Sequence, residues 1–96
     1  MIYEIFAIYD TKVKEYLPLF TARNAADAAR LFQNEVNDPR TNFAKHPADF
    51  VLFKFGVFDA TGGVFEMHEP QNVASAISLV YEENQSDLPM FTKQGS

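Results

Sequence analysis

The sequence predicts an α+β fold: a small antiparallel sheet of about four strands, in the order β-β-α-β-β-α, with helices packed on one face. Three observations lead there. Four short segments rich in Ile, Val, Tyr and Phe read as strands, two on either side of a helical stretch. Polar turns, Asp10–Lys14 and Asp59–Gly63, join each pair into a hairpin. Between the hairpins lies an apolar stripe at helical spacing. Two hairpins separated by a helix are most simply satisfied by one antiparallel sheet carrying its helices on one side.

The first strand, Ile2 to Tyr9, is apolar on both faces apart from Glu4, the pattern of a strand covered on both sides. The second, Glu15 to Ala22, contains Pro18, which has no N–H for a ladder and so places this strand at an edge or on a bulge. Asn24 is a good helix N-cap, and Asp27 stands where a carboxylate complements free amides and the helix dipole. Ala25, Ala28, Ala29, Phe32 and Val36 then form the buried stripe of a helix over Ala25 to Val36. Asn37-Asp38-Pro39 stops it, because a residue before proline is pushed out of the α region.

Arg40 to Asp49 reads as a polar loop or a single short turn. Phe50 to Phe58 is the third strand, with Val51, Phe53, Phe55 and Val57 as a wholly apolar core face and Phe50, Leu52, Lys54, Gly56 and Phe58 as a mixed one. After the glycine pair, whose members supply positive φ cheaply, Val64 to His68 returns as the fourth strand. Pro70-Gln71-Asn72 is then expected to start a second helix burying Val73, Ala76, Ile77, Val80 and Tyr81; a β reading of Ile77 to Tyr81 stands beside it. Residues 1–81 thus read as one domain and residues 82–96 as a flexible acidic tail, with Leu88, Met90 and Phe91 as isolated apolar residues.

Composition narrows the function classes. The chain has 96 residues, 47% of them hydrophobic, enough for one compact core. With no cysteine, disulfides and thiolate metal sites are excluded. No apolar run is long enough to cross a bilayer, and a start carrying Glu4 does not read as a signal peptide, so no membrane role and a cytoplasmic location are expected. The net charge is -5. Residues 1–60 hold seven basic groups against eight acidic ones, whereas residues 61–96 set Lys93 alone against Glu66, Glu69, Glu82, Glu83 and Asp87. An acidic total opposes nucleic-acid binding in general but leaves room for a local basic face on the first sixty residues.

Enzymatic constellations are absent from the pattern: there is no cysteine nucleophile, no glycine-rich phosphate loop and no serine in a nucleophile elbow. No catalytic residue, metal ligand or cofactor site is therefore assigned. Glu66, His68 and Glu69 read as an ordinary hairpin edge, and Glu82-Glu83 as solvated carboxylates. Cations interleaved with aromatics are the remaining signal, since phosphates take the first and bases stack on the second. Lys12 and Lys14 lie between Tyr9 and Tyr16; Arg40, Phe43, Lys45 and His46 cluster in the central loop; Lys54 sits on the mixed face of the third strand. The competing reading has Phe50 and Phe58 packed on the C-terminal helix or a second subunit, with Lys54 reaching to water.

Several of these pieces together resemble the small nonstructural protein of gokushoviruses, a microvirus subfamily of single-stranded DNA phages. They are Tyr9-Asp10-Thr11-Lys12, Tyr16-Leu17-Pro18 with Phe20, Ala29-Arg30 with Phe32, Val36-Asn37-Asp38, Phe43, His46-Pro47 with Asp49, Leu52-Phe53, Gly56, Phe58-Asp59 and Thr61-Gly62. The likeness runs in order over residues 2 to 65 and fades beyond Glu66. It implies a DNA-binding role in phage replication, at the switch between duplex synthesis and single-strand production, in the host cytoplasm. It carries over no binding residues.

Residues and resemblance together lead to a non-enzymatic binder of phage single-stranded DNA, expected to act as a homodimer. Lys12, Lys14, Arg40, Lys45 and Lys54 would hold phosphates, with Tyr16 and Phe43 stacking on bases. The alternative is a protein-interaction adaptor contacting a host replication factor or a phage initiator or capsid protein, which an acidic surface suits equally well.

Overall fold

The computed structural model describes residues 1–87. Its axis is β1 (Ile2–Asp10), which pairs antiparallel along its whole length with β4 (Phe50–Asp59), from Ile2 opposite Asp59 to Asp10 opposite Phe50. On the far side of β1 lie two short strands, β2 (Glu15–Tyr16) and β3 (Phe20–Ala22), and β5 (Val64–Ser75) closes the other edge against β4. The expected second strand is thus two pieces. Leu17-Pro18-Leu19 interrupts it, and both pieces keep to the edge where a proline is tolerated.

Between the hairpins, α1 (Ala25–Val36) forms as its sequence dictates: Asn24 Oδ1 accepts from the Asp27 amide at 2.8 Å, and Ala28, Phe32 and Val36 are buried. The loop after it holds a one-turn helix, α2 (Asn42–Lys45), capped by Thr41 Oγ1 accepting from the Ala44 amide, and a 3-10 turn at Pro47–Asp49. These helical pieces gather on one face of the sheet. There Phe6, Phe32, Phe50, Leu52, Ala76 and Val80 belong to a single buried cluster.

The fourth strand is longer than expected, and the helix expected to begin at Pro70 does not exist. β5 runs through Pro70 to Ser75, and a 3-10 turn at Ala76–Leu79 follows in place of either helix or further strand. The register explains how a strand absorbs a proline. Lys54 opposes Gln71 and Gly56 opposes Met67, so residues 68–70 bulge against Phe55 alone, and no ladder donor is required of Pro70. Most of the apolar positions keep their role, since Ala76 and Val80 are buried and Val73 and Ile77 pack beside them. Tyr81, expected in the buried stripe, is 40% exposed.

Side-chain bonds at Asn37 fasten this segment to α1. Its Nδ2 donates to the carbonyls of Gln33 and Leu79, and its Oδ1 accepts from the Tyr81 amide and from Asn84 Nδ2, all within 2.8–3.0 Å. Residues Glu82–Asp87 form a 3-10 helix, so the segment read as a loose tail begins with an ordered turn held through Asn84. Leu88, Met90 and Phe91 lie outside the described residues.

A second irregularity sets which side chains share a face. β4 carries one extra residue, Phe55, between the pairs Phe6–Lys54 and Ile5–Gly56. Beyond it the alternation flips, so Gly56 and Phe58 join the face of Phe53 and Phe55 instead of the face of Leu52 and Lys54. The core face is also the reverse of the sequence reading: Phe50 and Leu52 are buried under the helices, whereas Val51, Phe53 and Phe55 are only partly buried on the opposite side.

The β4–β5 turn is built on Asp59, whose Oδ1 accepts from the amides of Thr61 and Gly62; of the two glycines only Gly63 takes positive φ, at 70°. Gly56 is required for a different reason. A Cβ there would run into the Glu66 carbonyl oxygen and come within 2.8 Å of the Met67 Cα. Gly56→Ala should therefore push β5 away and cost about 2 kcal/mol or more, read as a lower urea midpoint at unchanged slope.

Candidate functional site

The turn between β1 and β2 is the first part of the site. Asp10 organises it: its Oδ1 accepts from the amides of Lys12 (2.9 Å) and Val13 (3.3 Å), and its carbonyl accepts from the Lys14 amide at 2.8 Å. The closure holds Lys14 at φ 62°, a left-handed conformation that L residues other than Asn, Asp and Gly rarely take. Thr11 anchors the turn to the central loop through its amide and its Oγ1, both donating to the Asp49 carbonyl at 2.9–3.0 Å. Lys12 and Lys14 are exposed, and among the described residues no ion pair holds them.

The five candidate cations stand in different surroundings. Lys12 borders a concavity of about 480 Å³ with Asp10, Asn42, His46, Asp49 and Phe50, in which two carboxylates outnumber the lysine. Lys45 borders another, of about 300 Å³, with Val36, Asn37, Pro39, Val80 and Asn84. Arg40 is committed to Asp38, with Nε–Oδ1 at 2.9 Å and Nη2–Oδ2 at 2.7 Å. This two-pronged contact holds the Asp38 carboxyl down at about 2, chiefly through the side-chain hydrogen bond from Arg40, and raises Arg40 in turn. Lys54 pairs with Glu4 across the β1–β4 seam at 3.4 Å. Lys12, Lys14 and Lys45 are the candidates left without an ion partner among the described residues.

The two candidate aromatics part company. Phe43 stands edge-on to Phe32 (5.3 Å) and Phe50 (4.8 Å) and extends the core. Tyr16 is 42% exposed and belongs to the sheet face away from the helices. It meets Tyr9 at 4.6 Å, Phe55 at 5.0 Å and Phe53 at 5.8 Å, and Tyr9 meets Phe53 edge-on at 6.3 Å. Farther along the same face Phe58 stacks on Phe65 at 4.6 Å.

This open face is what sequence reasoning missed. The sequence reading puts its Phe53 and Phe55 in the core, Phe58 on the mixed face and Tyr16 among the base-stacking rings. Alternation identifies a face without saying which one the helices cover. The available signal was the first strand, apolar on both sides in a chain with only one long helix to lay over it. Ile5 and Ala7, on the open side of β1, are 2% and 0% exposed, covered without the helical layer. The residues that the strand register places on this face include no charged side chain; Glu69 lies in the bulge at 68–70, between the paired positions. Among the described residues, no three His, Asp or Glu side chains come together as metal ligands, and no helix is long and apolar enough to cross a membrane.

Compared with known proteins, the chain matches the family described as Phage ORF5 protein over residues 3–79. No curated protein and no solved structure matches it.

Two outcomes are expected from the geometry. The Asp38 carboxyl is depressed, so the stability its pair with Arg40 contributes is in place above about pH 4 and is lost as pH falls through about 2. A carboxyl-resolved NMR titration should show that midpoint, and Arg40→Ala should return it to near 3.8. Lys14→Gly should relieve the left-handed strain and raise stability by about 0.5 kcal/mol, measured by chemical denaturation.

Proposed function

The chain belongs to the Phage ORF5 protein family, and on that premise we propose that it is a non-enzymatic phage nonstructural protein that binds single-stranded DNA during viral genome replication or packaging, in the host cytoplasm and without a cofactor. One observation carries this reading. An exposed turn presents Lys12 and Lys14 without ion partners among the described residues, with Lys14 in a strained conformation, two residues before the exposed ring of Tyr16. Glycine is the default residue for such a conformation, so a charged side chain kept there at an energetic cost points to a use for it. Cations at the tip hold phosphates, and Tyr16 offers a ring for a base to stack on, a sequence-tolerant mode suited to single strands.

The other candidates contribute unequally. Lys45 adds to the positive potential from the central loop, Arg40 and Lys54 are neutralised by Asp38 and Glu4, and Phe43 supports the core beneath the loop. A net charge of -5 keeps the affinity modest and concentrates it on the turn.

With about three phosphate contacts, the logarithm of the association constant should fall against log salt with a slope of about -2 on single strands. The double change Lys12→Ala/Lys14→Ala should reduce that slope by about 1.4, whereas Arg40→Ala should leave it nearly unchanged. Tyr16→Ala should weaken binding by about 1–3 kcal/mol irrespective of base sequence. Fluorescence anisotropy with labelled oligonucleotides measures all three. An absence of binding at low salt would remove this reading in favour of an adaptor contacting a host replication factor or a phage initiator or capsid protein.

A further inference from the structure

We propose that the open sheet face is the surface through which two copies of this chain associate, face to face about a two-fold axis, with Tyr3, Phe53, Phe55, Phe58, Phe65 and Met67 at its centre. The inference does not rest on nucleic-acid binding, although Tyr16 shares this face and meets Phe53 and Phe55.

Among the described residues, the sheet has helices on one side and apolar rings on the other, with no layer over the rings. Phe65 and Met67 are 62% and 53% exposed in the single chain, and every residue of β5 from Val64 to Asn72 is exposed. Three long strands, β1, β4 and β5, about 4.8 Å apart and about 30 Å long, give a footprint of roughly 430 Å² before the short edge strands and side-chain relief are counted. That is about half of the roughly 800 Å² that each partner gives to a standard interface.

Charge identifies the occupant as a second copy. A two-fold contact sets each patch against itself, so a chain of net charge -5 meets its own repulsion unless the patch is uncharged. Among the register-paired residues of β1, β2, β4 and β5, the open face carries no charged side chain. The opposite side of the same strands carries Glu4, Asp59 and Glu66, which a self-contact would set against their own copies. Strand addition at the edges is also obstructed: Pro18 divides one edge, and the bulge holding Pro70 distorts the other.

Sedimentation velocity of the nuclease-treated full chain, from about 1 to 500 μM, tests the proposal. A concentration-dependent dimer is expected. Phe65→Glu and Met67→Glu alter side chains already exposed in the single chain, so circular dichroism and the two-state melt should persist while dimer affinity falls at least 100-fold. Leu31→Glu, on the outer surface of α1, should leave the dimer intact. A monomer at every concentration, a dimer indifferent to both face substitutions, a dimer abolished by Leu31→Glu, or one formed only with oligonucleotide present would each overturn it.

Discussion

A helix of twelve residues is about 18 Å long, while a strand of ten residues is about 33 Å long, and this chain has one such helix to lay across a sheet of such strands. That mismatch governs the structure. Over the half that α1 reaches, Phe6, Leu52 and Phe50 pack against Phe32 and Val36 in an ordinary two-layer core. Away from it the sheet must cover itself, and on the opposite face it does so with its own rings. Tyr9, Tyr16, Phe53 and Phe55 meet mostly edge to face, a geometry in which aromatic pairs gain beyond their buried area. β5 is exposed from Val64 to Asn72 and meets the helical layer only near Val73 among the described residues.

Register irregularities distribute the chemistry. The extra residue at Phe55 rotates Gly56 and Phe58 onto the aromatic face, which gathers rings along the whole sheet and keeps Glu4, Val57 and Lys54 on the other side. Lys54 thereby meets Glu4 and becomes part of the seam's electrostatics instead of a free cation. The two ends of the molecule also differ in kind: one bears the lysine turn pinned to Asp49, the other a turn built on Asp59 and closed by the Met1 amine donating to Thr61 Oγ1 at 3.0 Å.

Local signals in the sequence were read correctly where the deciding physics is local. Asn24, Asp27 and the stripe to Val36 announce α1 because capping and periodicity act within a few residues, and Asp59-Ala60-Thr61-Gly62-Gly63 announces its turn for the same reason. Pro70-Gln71-Asn72 imitates a helix start, but whether a proline begins a helix or rides a bulge depends on what lies opposite, here Phe55 on β4. The site failed for similar reasons. Phe43 looks like a free loop aromatic until Phe32 and Phe50 come together beside it, and the Lys54–Glu4 pair joins residues fifty positions apart in the chain. Lys12, Lys14 and Tyr16 were legible because they share one hairpin.

The pairing of β1 with β4 also bears on how the chain reaches this state. β1 with β2, and β4 with β5, close over turns of a few residues, on the microsecond scale of hairpins. The β1–β4 seam joins Asp10 to Phe50 and Ile2 to Asp59, so residues 11–49 must be looped before its first bond forms. Contacts of that sequence separation slow folding toward milliseconds, and two preformed hairpins docking along a shared strand is the step that sets the rate. Until they dock, the β1-facing edge of β4's aromatic run lacks its permanent neighbour, and the newly made chain is at its most prone to pair with the wrong one.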